Sequence, residues 1–447
     1  MKIARFSRIG FIMASAGSAV GLGNIWKFPY ITGEYGGGAF VLVYLITVAF
    51  IGFSVLVAEI LIGSQGKNDA VTSFESLAPT NKNSWKCAGF MAFNGLVIMT
   101  FYSVVIGWIL YYIFELFNGL PASVAQAEAI FGDLVSQKVG TQIFWHSIAT
   151  LVVMFVVHRG IKGGIEKVNI YLMPSLVIIL VGMLFYSMQL DGFSKSLNFM
   201  FAPEWSKLDS EAFIKAIGHA FFTLSLGMGA LLTYAASLPK NVSLTKTAFI
   251  VTLMDTGIAI IAGLMIFAFL FEFGEAPAKG PGLVFVSLPV IFSQLGLLGS
   301  FFALIFFLAL AFAGLTSAVS LVEPAVQYFI SRFNMTRLKA TLVSGSSYYL
   351  IGLFALLSYT QSYGDLFSIS GKPIFDILEH TTDAILLPLG GIFMAIFVGY
   401  VLPKDMVYSH LHKEMGKMYW LWRASLRYVA PLALIFMMLN LFGIIKF

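Results

Sequence analysis

The chain has 447 residues, of which 59% are hydrophobic and only 11% charged, with a formal net charge of +5. Soluble domains carry roughly a quarter of their residues as charges, so this composition excludes a water-solvated surface over most of the chain and makes lipid its main solvent. The small, dispersed positive charge gives no sign of a nucleic-acid partner. The single cysteine, Cys87, excludes an intramolecular disulfide and a cysteine-based metal cluster.

A helix needs about 20 apolar residues to cross the hydrocarbon core. Applied along the chain, that length predicts an all-α membrane protein of about 11 transmembrane helices, at residues 9–31, 39–63, 86–115, 142–158, 168–190, 212–237, 247–271, 299–330, 338–358, 374–402 and 419–444. The first apolar run continues into Gly17–Pro29 with no clean small-residue cleavage site, so it is read as a span and not as a cleaved leader. Segment 283–297 is too short and too proline-marked to span, and is expected to form an outer hairpin or re-entrant piece. Lysine and arginine concentrate in 1–8, 64–86, 158–167, 238–246, 331–339 and 403–427. That bias predicts a cytoplasmic N-terminus and, with an odd number of spans, an outside C-terminus, in a cell inner membrane.

The first and sixth spans share an oddity. One contains Gly21-Leu22-Gly23-Asn24 and the other Ser225-Leu226-Gly227-Met228-Gly229, each a G-x-G at mid-membrane. Glycine costs close to 1 kcal/mol in a helix interior relative to alanine, and two so close invite unwinding. The spans lie five apart, and an odd offset reverses the second half. This predicts one transporter domain over 1–447, a 5+5 inverted repeat of 9–190 and 212–402 with unwound first and sixth helices, and an additional helix at 419–444. Close helix packing through small residues is the alternative.

Ala14-Ser15-Ala16-Gly17-Ser18-Ala19-Val20-Gly21-Leu22-Gly23-Asn24-Ile25-Trp26-Lys27-Phe28-Pro29-Tyr30, followed by Gly36-Gly37-Gly38-Ala39-Phe40, resembles the signature of the neurotransmitter:sodium symporter family. Phe221-Phe222-Thr223-Leu224-Ser225-Leu226-Gly227 and Ala313-Gly314-Leu315-Thr316-Ser317 do so too, in the right order. The resemblance implies a sodium-coupled amino-acid symporter working by alternating access with two sodium ions. One ion would take the carbonyls of Gly17, Val20 and Ala313 with the hydroxyls of Thr316 and Ser317. The other would take Ala19, Asn24, Thr223 and Asp255, plus the substrate's carboxylate. The bland reading of the two hydroxyls is helix back-bonding.

Relatives that carry biogenic amines place an aspartate at the Gly21 position, and here the substrate must bring its own anion. Its carboxylate would meet Tyr102 and the N–H groups near Leu22 and Gly23 at a half-helix N-terminus. Its ammonium would meet carbonyls near Ala19 and Phe222 and the Ser225 hydroxyl, close to Thr223 and Ser317. The side chain would lie among Ile98, Phe222, Met228, Ala318 and Leu321, which predicts a hydrophobic or aromatic L-amino acid. A β- or γ-amino acid, or a sensor that binds without transporting, is the alternative. The resemblance also implies an outer ion-pair gate of Lys27 with Asp376, above a lid of Phe222 and Tyr102.

Several residues depart from the family pattern. His219 stands where a glutamine bridges that gate, and Ser331 where an acidic residue closes the cytoplasmic side. Chloride-dependent relatives carry asparagine at position 255 and a serine nearby. Here Asp255 and Ala259 predict chloride independence. Glu59 is expected to be held by backbone N–H groups of the sixth span. Glu323, Glu379, His380 and Asp383 receive no role, and oligomeric state is left open. His158, Glu166, Glu323 and His380 are too scattered for a metal or catalytic constellation, so no enzyme is expected.

Overall fold

A computed structural model describes residues 5–239, 242–275 and 280–444. The extreme ends and residues 240–241, which entered the orientation reading, lie outside the described residues. Among those described, nine helices are long and apolar enough to cross a membrane: Gly38–Gly66, Lys82–Asn118, Val139–His158, Ile161–Ser187, Leu244–Glu272, Gly296–Phe333, Arg337–Leu357, Ile374–Val401 and Met418–Leu441. A tenth span is the bent pair Arg8–Ala19 and Gly23–Glu34, turned by 44°. The remaining expected span, the sixth, is split into Ser210–Thr223 and Ala230–Ala236. Neither half reaches membrane length, which is why a continuous-helix criterion finds ten spans where the sequence pattern predicts eleven.

Helix is the required form here because lipid offers no partner to a free N–H or C=O. Several helices begin at a polar residue whose side chain takes up an orphan donor: Ser7 accepts from Gly10 N, Asp209 from Ala212 N, Ser243 from Lys246 N and Thr336 from Lys339 N. Wide π-type turns interrupt the spans at Gly23–Lys27, Val48–Gly52, Ile161–Glu166, Thr382–Leu386, Phe397–Val401 and Ser425–Val429. The 283–297 segment forms a short helix, Leu283–Gln294, that turns back into the eighth span. A two-residue hairpin pairs Ser368 with Pro373 just before the tenth span.

The first span lies in the middle, against spans five, seven and eight, while the two halves of the sixth pack on span two. Spans four and five are the least buried of the nine, each 28% buried over its most apolar stretch. The broken helices therefore sit in the protein interior, where irregular backbone can find partners.

Candidate functional site

The first span loses helical form at Val20 and Gly21, between Ala19 and the helical turn at Leu22 that leads into the π-turn starting at Gly23. The freed carbonyls face hydroxyls on other helices. Ser317 Oγ lies 3.2 Å from both Gly17 O and Val20 O, and 3.4 Å from Ser18 O. Ser225 Oγ donates to Ser18 O at 2.6 Å. Thr316 Oγ1 back-bonds to Phe312 O and Ala313 O, at 2.9 and 3.1 Å. Ser317 Oγ thus joins the span-one carbonyls, with Thr316 next to it in the chain still bonded within its own helix; the oxygens are all neutral, the donor type that suits a hard monovalent cation.

A second cluster surrounds Asp255, which is wholly buried. Asn24 Nδ2 donates to its Oδ1 at 2.7 Å and to its backbone oxygen at 2.9 Å. Thr223 Oγ1 donates at 2.8 Å and the Tyr44 hydroxyl at 3.5 Å. Asn24 Oδ1 meanwhile accepts from Gly21 N at 2.8 Å. No lysine, arginine or histidine among the described residues forms an ion pair with Asp255. A carboxylate held only by neutral donors at this depth is costly, and a cation would relieve it.

Between the two clusters is a cavity lined by Ser18, Ala19, Gly21, Gly23, Ile98, Tyr102, Phe222, Thr223, Ser225, Met228, Ser317 and Leu321. Its volume is about 20 Å³, so admitting anything larger than a water requires side chains such as Phe222 and Ser317 to swing aside. Leu22 N donates to the Tyr102 hydroxyl at 3.3 Å. A Cβ at Gly21 would fall 2.5 Å from Ser317 Oγ and 3.1 Å from the Tyr102 hydroxyl. Ala318, expected at the side-chain end, is buried but outside this lining, and Leu22 borders the outer cavity instead. That outer cavity, about 170 Å³, shares Gly23, Tyr102 and Phe222 with the inner one. Those residues are the thin wall between them.

The outer ion pair differs from the expectation of Lys27 with Asp376. Lys27 Nζ binds Asp383 and lies 3.6 Å from Glu379 and 4.4 Å from the Phe222 ring centroid. Asp376 instead accepts from the Tyr359 hydroxyl. The three acids recur at about helical spacing in the N-terminal half of span ten, and the last of them meets the lysine. His219 is buried with both ring nitrogens unpartnered, between Phe28 and Tyr44. At the opposite end of the spans, Ser331 Oγ donates to Asp69 at 2.6 Å, Arg337 pairs with Glu323, and Ser7 N donates to Glu166.

Glu59 Oε1 accepts from Leu232 N at 3.4 Å, at the start of the sixth span's second half. Asn94 Nδ2 donates to Gly227 O at 2.8 Å and to Leu386 O at 3.0 Å. Sequence reasoning missed Asn94, Tyr44 and Ser18. Ser18 lay within the quoted motif and so was within reach. Tyr44 and Asn94 carried no local pattern.

The fold and cavity define a multi-pass membrane protein with a cavity between broken helices, the architecture of a secondary transporter. The model of the sodium:neurotransmitter symporter family matches residues 4–130 and 137–447, and the chain belongs to that family. It is therefore a sodium-dependent transporter and not an enzyme. It is 36% identical to the sodium-dependent transporter YhdH of Bacillus subtilis over 99% of this chain and 98% of that one. It is 35% identical to a sodium-dependent transporter of Haemophilus influenzae, over 98% and 97%. The crystal structure of MhsT in complex with L-phenylalanine superposes with a TM-score of 0.91 at 41% identity, covering 98% of this chain and 100% of that one.

Proposed function

We propose that this transporter imports a hydrophobic or aromatic L-amino acid with two sodium ions, without chloride, by alternating access between the halves 9–190 and 212–402. The observation that carries the substrate reading is the absence of room at Gly21, where even a methyl group would strike Ser317 and Tyr102. The chain supplies no anion there to pair with a bare amine, so the ligand brings its own carboxylate, and the Tyr102 hydroxyl and the Leu22 N–H that now bonds to it would turn to take it. Ile98, Phe222, Met228 and Leu321 make the other end apolar, and Met228 is adaptable in shape. That MhsT was crystallised with L-phenylalanine agrees with this reading.

Sodium would occupy the Gly17–Val20–Ala313–Thr316–Ser317 oxygens and, separately, the Asn24–Thr223–Asp255 cluster with Ala19 O and the substrate carboxylate. At the second position Asn24 would turn its amide oxygen inward, since its Nδ2 now faces Asp255. Asp255 supplies the fixed negative charge and Ala259 offers no anion ligand, which supports chloride independence. The bias of lysine and arginine along the chain supports a cell inner membrane with the N-terminus cytoplasmic.

Two charges crossing a 100 mV potential contribute about 2.3 kcal/mol each, and a tenfold sodium gradient about 1.4 kcal/mol per ion. The total, about 7 kcal/mol, supports accumulation on the order of 10⁵-fold. The test is uptake into proteoliposomes with a competition panel. Electrogenic uptake inhibited by leucine, tyrosine, tryptophan or phenylalanine is expected. Preference for glutamate, lysine or a γ-amino acid defeats the substrate reading, and binding without accumulation makes the protein a sensor.

A further inference from the structure

On the flank of the molecule, away from the transport cavity, spans four and five meet span eight around a groove of about 500 Å³. Its walls are apolar: Val152 comes from span four, Leu172 from span five, and Leu315 and Val319 form the floor. Its polar lining is basic. Arg159, which closes Val139–His158, and Lys167, which opens the helix Lys167–Ser187, both border it from either side of the tight turn at Gly160. Both are exposed, and neither forms an ion pair with a carboxylate among the described residues. The nearby acids are engaged elsewhere: Glu166 is buried and accepts from Ser7 N, and Glu323 holds Arg337. Arg159 lies over the Phe155 ring at 4.8 Å, which fixes the guanidinium at the groove's edge while Phe155 itself stays exposed to lipid.

We propose that this groove binds an anionic glycerophospholipid, its phosphate and headgroup held by Arg159 and Lys167 and one acyl chain lying along Val152 and Leu172 to the floor at Leu315 and Val319. The surroundings select the occupant. The groove opens on the two least buried spans, so its neighbour is the bilayer. Two unpaired cations above a long apolar slot match an amphiphile with a charged head, and basic pockets between transmembrane helices take anionic headgroups. Simple snorkelling of basic side chains to the membrane edge would not require the two to share one slot. Lys162, in the same connection, is exposed and lies outside the groove lining. It serves as the control for diffuse charge. The floor residues flank Thr316 and Ser317 in sequence, so the acyl chain would rest against the helical turn that carries both hydroxyls.

The test uses the full-length purified protein and native mass spectrometry, titrating dioleoyl-phosphatidylglycerol against dioleoyl-phosphatidylcholine. Wild type should retain phosphatidylglycerol selectively. Arg159→Gln with Lys167→Gln should reduce that retention about 30-fold, roughly fivefold for each basic side chain. Lys162→Gln should leave it within about twofold. Gly163→Phe adds bulk where a Cβ meets nothing within 4 Å, and should expel the lipid with every charge in place. Equal retention of the two lipids by wild type overturns the proposal. So does wild-type retention in the double variant, or an equal loss in Lys162→Gln. If the double variant does not fold, judged by its unfolding midpoint, Gly163→Phe and Lys162→Gln decide between groove and diffuse charge.

Discussion

The two broken spans carry the same glycine pattern and use it for different purposes. In the first, two residues leave the helix, and the carbonyls of Gly17, Ser18 and Val20 face hydroxyls on other spans, which can rotate away. In the sixth, six residues leave it, and Ser225, Gly227 and Gly229 take positive φ of 53°, 76° and 70°. There the backbone is pinned by side chains from neighbours, Asn94 on Gly227 O and Glu59 on Leu232 N. Glycine in the first break provides space beside Ser317 and Tyr102; glycine in the sixth provides a backbone shape. One break is arranged to exchange partners and the other to hold them.

That difference predicts opposite consequences for one substitution. Gly227→Ala puts a Cβ 2.5 Å from Leu387 O at a φ that alanine avoids. It should destabilise the fold by about 3 kcal/mol or more, seen as a large drop in unfolding midpoint that sodium and substrate do not restore. Gly21→Ala should leave the midpoint within a few degrees yet abolish uptake. Because its clash is with the Ser317 hydroxyl, pairing it with Ser317→Gly should return part of the substrate binding while leaving sodium binding impaired. A Gly21→Ala protein that fails to fold, or a Gly227→Ala protein of normal stability, would erase the distinction between the breaks.

Asp255 probes the proposed cation side of the first break. Replacing it with asparagine keeps the shape but removes the fixed charge, and breaking a buried charge pair costs about 3–5 kcal/mol. The sodium requirement should rise at least on the order of 100- to 1,000-fold, with no recovery on adding chloride. Tyr102→Phe should be milder, about 1.5–3 kcal/mol in substrate affinity for one hydrogen bond to a charged group, with sodium affinity changed only through coupling. Isothermal titration with sodium and with substrate separately distinguishes the two. Normal sodium binding by Asp255→Asn would remove that cluster from ion binding.

Much of the fold was legible because lipid enforces a single rule, helices of sufficient apolar length, and both breaks announce themselves as glycines at matched depth. Most residues of the two polar clusters lie in contiguous motifs, while Asp255 lies in none of them. Contacts set by register across helices were not legible. Asn94 reaches the sixth span and Tyr44 reaches Asp255 from helices whose local sequence is ordinary. The π-turns, each one extra residue in a helical turn, leave no periodic trace in a uniformly apolar span, yet they rotate everything beyond them.

The outer ion pair shows the cost of that blindness and supplies the smallest expected effect. Asp376, Glu379 and Asp383 recur along span ten, and sequence spacing alone gives no ground for choosing among them. The π-turn at Thr382–Leu386 begins beside the third, and Lys27 binds that one. Its side chain and that of Asp383 are only 12% and 28% exposed, which leaves the pair partly accessible to screening. Exposed pairs are worth about 0–1 kcal/mol, and Glu379 at 3.6 Å stands by as a second partner. Asp383→Asn should therefore raise the half-saturating substrate concentration only about two- to fivefold, and Asp383→Asn with Glu379→Gln should do more. Asp376→Asn should do less, because Asp376 is engaged by Tyr359. The lysine also lies over the Phe222 ring that separates the two cavities, so loosening it should speed substrate release more than it slows entry. Stopped-flow release rates measure this directly, and a larger effect from Asp376→Asn than from Asp383→Asn would return the gate to the pairing that the family pattern implied.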